Sequence, residues 1–192
     1  MRGAPIKALI TFTFNNVSQG LYIRDGLFPR FPIYMVSVPR DRLAPRLAAP
    51  RLRLESLTAD AIPYDRLAQI DVSAVGVSRE KHHRFLLGDS TTRGFTIHAG
   101  NECAGYVYIS GGHIGPLAVH RPDLVESAFA AALSFAAQSD CPAISAFVPG
   151  ASEPALKAAI DHGMRLTFPM LLMSNRPFGD GGSYFPRNPG FM

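Results

Sequence analysis

From Ile144 to Met173, apolar runs alternate with polar breaks in a plan that organises the whole chain. Ile144–Val148 is an apolar run of strand length, Pro149-Gly150 makes a turn, and Ser152 opens a helical stretch that Gly163 ends. A second apolar strand follows over Thr167–Met173. The Ser152 hydroxyl is suited to accept a hydrogen bond from an unpaired amide of the first turn, and glycine adopts the left-handed conformation that stops a helix. The same plan occurs earlier, at one constant spacing along the chain. Asn15 falls on Ser152, Ser18 on Ala155, Gly26 on Gly163 and Leu27 on Met164, while Phe31-Pro32 falls on Phe168-Pro169. One strand–helix–strand unit is therefore written twice. Its first copy predicts a strand over Lys7–Phe14, a helix over 16–25 and a strand over Ile33–Val38.

Between the copies the pattern predicts a larger unit. Arg51–Leu57 alternates as a strand, and Ile62, Leu67 and Ile70 mark a helix over Asp60–Ile70. Ser78 is positioned to cap a second helix that closes on Phe85-Leu86-Leu87. Gly94–His98, Cys103–Ser110 and His113–Val119 read as three strands joined by hairpin turns at Ala99-Gly100-Asn101 and Ser110-Gly111-Gly112. Asp123–Gln138 is alanine-rich and carries Leu124, Phe129, Leu133 and Phe135 at helical spacing, with Pro122 suited to the first turn. The organisation expected is a strand–helix–strand remnant over 1–38, a linker over 39–50, a complete unit over 51–176 and a Gly/Pro-rich tail over 177–192. Phe178, Tyr184, Phe185 and Phe191 suggest that aromatic side chains pin this tail.

Composition narrows the class. With 47% hydrophobic and 18% charged residues the chain has ample material for a core. A net charge of +4 is too modest to argue for nucleic acid. The basic stretch 39–53 interleaves five arginines with Pro39, Pro45 and Pro50 and has no aromatic side chains on which bases would stack, so it reads as an extended linker. No run approaches the roughly 20 apolar residues that span a bilayer. Cys103 and Cys141 are too few for a disulfide framework and suit a reducing cytosol.

Candidate chemistry is sparse. His82-His83 lies in the charged run EKHHR and reads as a solvated surface, since a metal pair on a helix needs i,i+4 spacing. His98, Glu102, His113 and His120 come from neighbouring strands and could line one cleft, with a histidine serving as base for an amine. No phosphate-binding glycine loop of the Walker type is present.

The order of three antiparallel strands, long helix, strand, shorter helix and strand resembles the GNAT N-acetyltransferase superfamily. Members end with a helix of the form N-x-x-A-x-x-L-Y-x-x-x-G-F. The first copy matches it with Asn15, Ser18, Leu21, Tyr22, Gly26 and Leu27, and the second, more loosely, with Ser152, Ala155, Ala158, Ala159, Gly163 and Met164. HIGPLAV resembles the family's splayed fourth strand. The resemblance implies an α/β (α+β) fold with a mixed, mostly antiparallel sheet flanked by helices. It implies acetyl-CoA as co-substrate, held by Leu117, Val119, His120, Arg121 and Leu124, with Tyr22 as the acid for the departing thiolate and His113 at the reacting amine. The family's glycine-containing phosphate loop is replaced here by Val119-His120-Arg121-Pro122-Asp123, and its tyrosine by Ala159 in the second copy. Two functions therefore stand open. The leading one is N-acetyl transfer to a small amine by direct attack on the thioester. The other is a catalytically silent ligand-binding or dimerisation unit, with a homodimer through 1–38.

Overall fold

The computed structural model describes residues 5–43, 47–58 and 62–190. The first copy of the repeat gives β1 (Ala8–Phe12), α1 (Asn16–Arg24) and β2 (Phe28–Pro39), and a single helical turn, α2 (Arg40–Leu43), buries Leu43. Next come β3 (Arg53–Ser56), α3 (Tyr64–Val75), α4 (Glu80–Leu87), β4 (Thr92–Ala99), β5 (Glu102–Ser110) and β6 (His113–Val119). A 3-10 turn over Pro122–Leu124 leads into α5 (Val125–Ala136). The second copy supplies β7 (Ala143–Pro149), α6 (Glu153–Asp161) and β8 (Arg165–Ser174), and the tail contributes β9 (Tyr184–Phe185).

Among the described residues these strands form one sheet in the order β1-β8-β2-β7-β6-β5-β4-β3, with β9 paired to β6 off that path. Every pairing is antiparallel except β6 with β7. Alternation along the strands sends side chains to two layers. On β5, Val107 and Ile109 point to the layer of α5 and α6, where Phe129, Leu133, Ala155 and Ala159 are buried. Tyr106 and Tyr108 point the other way, to Leu67, Ile70 and Leu86 of α3 and α4.

The constant spacing between the two copies is built into the sheet. Ala8 faces Ser174, and their counterparts Ser145 and Ser37 face each other. In the β2–β8 pair Ile33 faces Met170, its own counterpart, and both are buried. The irregularities match too. Arg30 is skipped between Pro29 and Phe31, and Thr167, its counterpart in the second copy, is skipped opposite Met35 and Val36. An antiparallel strand pair has a twofold axis between its strands, so two copies of one unit can pair about it and cover each other's apolar faces.

The helix stops behave as the sequence implies, with φ of 81° at Gly26 and 80° at Gly163. The caps differ between copies. Asn15 accepts from the Ser18 amide at 3.3 Å, whereas the Ser152 side chain is buried and makes no cap bond. The hydroxyl has been turned into the core, and the backbone alone opens α6. Ser78 does not cap either: Arg79 holds the cap position of α4, without a side-chain bond. The third helix begins at Tyr64 and runs on to Val75, beyond the expected Ile70, because the apolar stripe continues through Ala74 and Val75. Asp60, Pro45, Arg46 and Phe191 lie outside the described residues. No helix among the described residues is long and apolar enough to cross a membrane.

Candidate functional site

Strands β6 and β7 pair only at His113 with Ser145 and Ile114 with Ala146 before they part. The tail lies against the freed edge of β6. The Val119 amide donates to the Ser183 carbonyl at 3.1 Å, Ala118 faces Tyr184 and Leu117 faces Phe185. Phe185 is fully buried, its ring 5.2 Å from that of Phe129 on α5, while Tyr184 turns to the α3 side. Two residues thus continue the alternation of a strand and fill both layers.

The segment is fastened at both ends. Upstream, the Asp180 amide donates to the Ala74 carbonyl at 2.8 Å, and its carboxylate accepts from the Ser183 hydroxyl at 2.6 Å. Downstream, the Arg187 guanidinium donates to the Gly115 carbonyl at 3.2 Å. Gly115 has φ of 150°, and a side chain there would sit 2.7 Å from the Pro186 carbonyl oxygen, so close approach of the tail requires glycine. His113 completes the clamp. Its Nε2 donates to the Arg187 carbonyl at 2.7 Å, and its Nδ1 accepts from the Ser145 hydroxyl at 2.9 Å. Burial, with a smaller contribution from the Arg187 charge, holds the imidazole below its ordinary pKa. With both nitrogens engaged, His113 is a structural link here rather than a base open to an amine.

Entry to α5 carries little capacity for phosphate. Pro122 has no amide to give, and the 3-10 turn delays the helix until Val125. His120 contacts the Ala104 carbonyl at 2.8 Å and the Glu102 carboxylate at 2.9 Å. Arg121 holds Asp123 at 2.7 Å, with Glu102 at 3.8 Å. Both side chains able to offset the missing glycines therefore already face carboxylates. Leu124 packs partly buried against the core.

The other expected residues are dispersed. Tyr22 sits on α1, which joins β1 to β2, and neither of those strands pairs with β6. Its counterpart Ala159 is fully buried beside α5. Of the four cleft candidates only Glu102 and His120 meet. His98 contacts Thr96 at 3.0 Å and Glu55 at 3.5 Å, and His113 faces the tail.

One polar cluster was missed from the sequence. His83 is not solvated. It is 2% exposed, with Nδ1 2.8 Å from the Tyr108 hydroxyl and Nε2 3.0 Å from the fully buried Asp71. Asp71 also accepts from the Tyr106 hydroxyl at 2.7 Å and the Arg79 amide at 2.8 Å. Burial and then the Asp71 charge push both tyrosines well above their ordinary range. The readable signal was Asp71 itself, a carboxylate within the apolar stripe Leu67, Ile70, Ala74 and Val75. The cluster lies under α3 and α4, packed among buried groups.

No protein-family model and no curated protein matches the chain. Solved structures do. A protein from Pyrococcus horikoshii assigned as an acetyltransferase aligns with a TM-score of 0.65 at 18% identity, over 95% of this chain and 58% of that one. A GCN5-related N-acetyltransferase from Sphaerobacter thermophilus aligns at 0.59 and 14% identity, over 91% and 61%. Another, from Kribbella flavida, aligns at 0.58 and 18% identity, over 90% and 44%. The chain has the fold of the GNAT-type N-acetyltransferases, and it spans less than two thirds of each of these three proteins. Acetyl-CoA is the co-substrate that this fold implies. The described residues do not fit it: the freed edge of β6 is paired, the phosphate loop has no glycine, its His120 and Arg121 side chains already face Glu102 and Asp123, and Ala159 stands where a tyrosine would act.

Proposed function

We propose that this chain is a catalytically silent GNAT-type unit, an acyltransferase fold whose cofactor cleft is closed by its own C-terminal segment. The observation that carries this reading is the pairing of Leu117 with Phe185, which uses the edge of β6 that a co-substrate would need. The contacts of His120 with Glu102 and of Arg121 with Asp123, and the alanine at 159, support it independently.

The rival reading, transfer from acetyl-CoA to a small amine, is favoured by the fold neighbours, whose names are those of acetyltransferases. It requires residues 183–187 to leave the cleft and another group to do the work of the missing tyrosine, since Tyr22 sits on α1, between two strands that do not pair with β6. A thiol-release assay with acetyl-CoA and a panel of small amines separates the two. The silent reading expects the rate to stay at the background of amine and thioester alone. An enzyme-dependent rate that falls on His113→Ala would overturn it.

A further inference from the structure

We propose that the β1–α1 face binds a second copy of this chain. The two ends of the sheet differ in kind. At one end β3 is short and carries Arg53 and Glu55, exposed and paired at 2.7 Å, the sort of charged edge that resists further pairing. At the other end β1 reads ALITF, with neither charge nor proline, and among the described residues it pairs only with β8.

Beside that edge lies an apolar surface. Phe12 stacks on Phe14 with ring centroids 5.1 Å apart, and Phe168 meets Phe12 at 5.8 Å. Val17 and Leu21, one helical turn apart on α1, are 79% and 49% exposed, and α1 buries no residue at all. The partly exposed rings and aliphatic side chains together offer on the order of 450 Å² of apolar surface. That sum is over half of the about 800 Å² that each partner of a stable complex contributes.

The second copy of the repeat shows what this face lacks. Ala155, Ala158 and Ala159, the counterparts of Ser18, Leu21 and Tyr22, are buried beside α5. In each molecule β6 and α5 are already committed to β7 and α6, so a second copy cannot offer them. It can offer its own β1–α1 unit. Joined about a twofold axis, β1 lies antiparallel to β1, the sheet continues from one molecule to the next, and the Phe12, Phe14, Val17 and Leu21 clusters cover each other. The only charged residue of α1 is Arg24, near its C-terminus, so like-charge repulsion between the helices is small. This face is remote from the cleft, and the proposal stands or falls separately from acetyl-CoA binding.

Sedimentation of the full chain from about 1 to 100 μM tests it. The expected species is a dimer of the 20.8 kDa chain. Val17→Glu/Leu21→Glu alters two exposed side chains and is expected to weaken dimerisation at least about 100-fold while the thermal unfolding midpoint of the monomer is kept. Thr11→Lys, which charges the strand edge, is expected to weaken it too. Ile160→Glu, on the equally exposed position of α6, is expected to leave the dimer intact. A wild-type chain that stays monomeric over this range would overturn the proposal, as would a dimer indifferent to the Val17/Leu21 and Thr11 substitutions.

Discussion

Phe185 faces Leu117 across an antiparallel pair, and both side chains are fully buried in the layer beneath α5. The tail is therefore part of the core, and its removal has a cost of core size. Phe185→Ala is expected to destabilise the protein by about 3–5 kcal/mol, the range for a buried phenylalanine that leaves a cavity. Denaturant unfolding measures this. Amide exchange at Val119, whose N–H is bonded to Ser183, should rise in the same variant even where the remaining sheet stays protected.

Gly115 offers a gentler way to loosen the segment. A methyl group there meets the Pro186 carbonyl oxygen at 2.7 Å, and the backbone angle already favours glycine. Gly115→Ala is expected to push residues 183–187 outward, so that trypsin cleaves after Arg187 about tenfold faster or more under native conditions. Equal cleavage rates would mean that the segment is not held by this contact.

His113 makes the closure sensitive to acid. Its folded pKa is lowered by burial, so the unfolded chain binds the proton first as pH falls. The stability held above the unfolded value, about 6.5, is lost as pH drops from there toward the lower folded value. His113→Gln should remove that part of the pH dependence, seen as a smaller drop in unfolding free energy between about pH 7 and 5 than in wild type. His82, also lowered by burial, adds a similar slope to both proteins and cancels in the comparison.

The Asp71 cluster should prove structural. Asp71→Ala strands the Tyr106 hydroxyl, the Arg79 amide and His83 in a buried layer, and about 3–5 kcal/mol of stability should be lost. Tyr108→Phe removes one hydroxyl bonded to His83 and should cost about 1 kcal/mol. Chemical denaturation of the two variants checks both the order and the gap.

The strand–helix–strand repeat was legible because its signals are local: apolar runs of strand length, a polar opening residue and a glycine stop, twice at the same spacing. The insertion of β2 between β7 and β8 was not, since no residue pattern announces which distant strand a strand will join. Closure of the cleft escaped for a related reason. Tyr184-Phe185 is too short to show alternation, and its partners, Leu117 and Ala118, lie far back along the chain, beyond α5 and the whole second copy of the repeat. His83 was misjudged because its neighbours Glu80, Lys81, His82 and Arg84 make the segment look solvated, although His83 and Leu86 share the inward face of α4. Ser152 shows the limit of a cap rule: the residue type was right, but the packing of α6 turned its hydroxyl inward.

The most direct measurement is thermal unfolding of the full chain against rising acetyl-CoA. A closed cleft predicts no shift of the midpoint up to millimolar concentrations. A ligand at about 100 times its dissociation constant would stabilise the native state by about 2.7 kcal/mol. A saturating shift of that order, lost when His120 and Arg121 are replaced by alanine, would mean that residues 183–187 leave the cleft and would contradict the account.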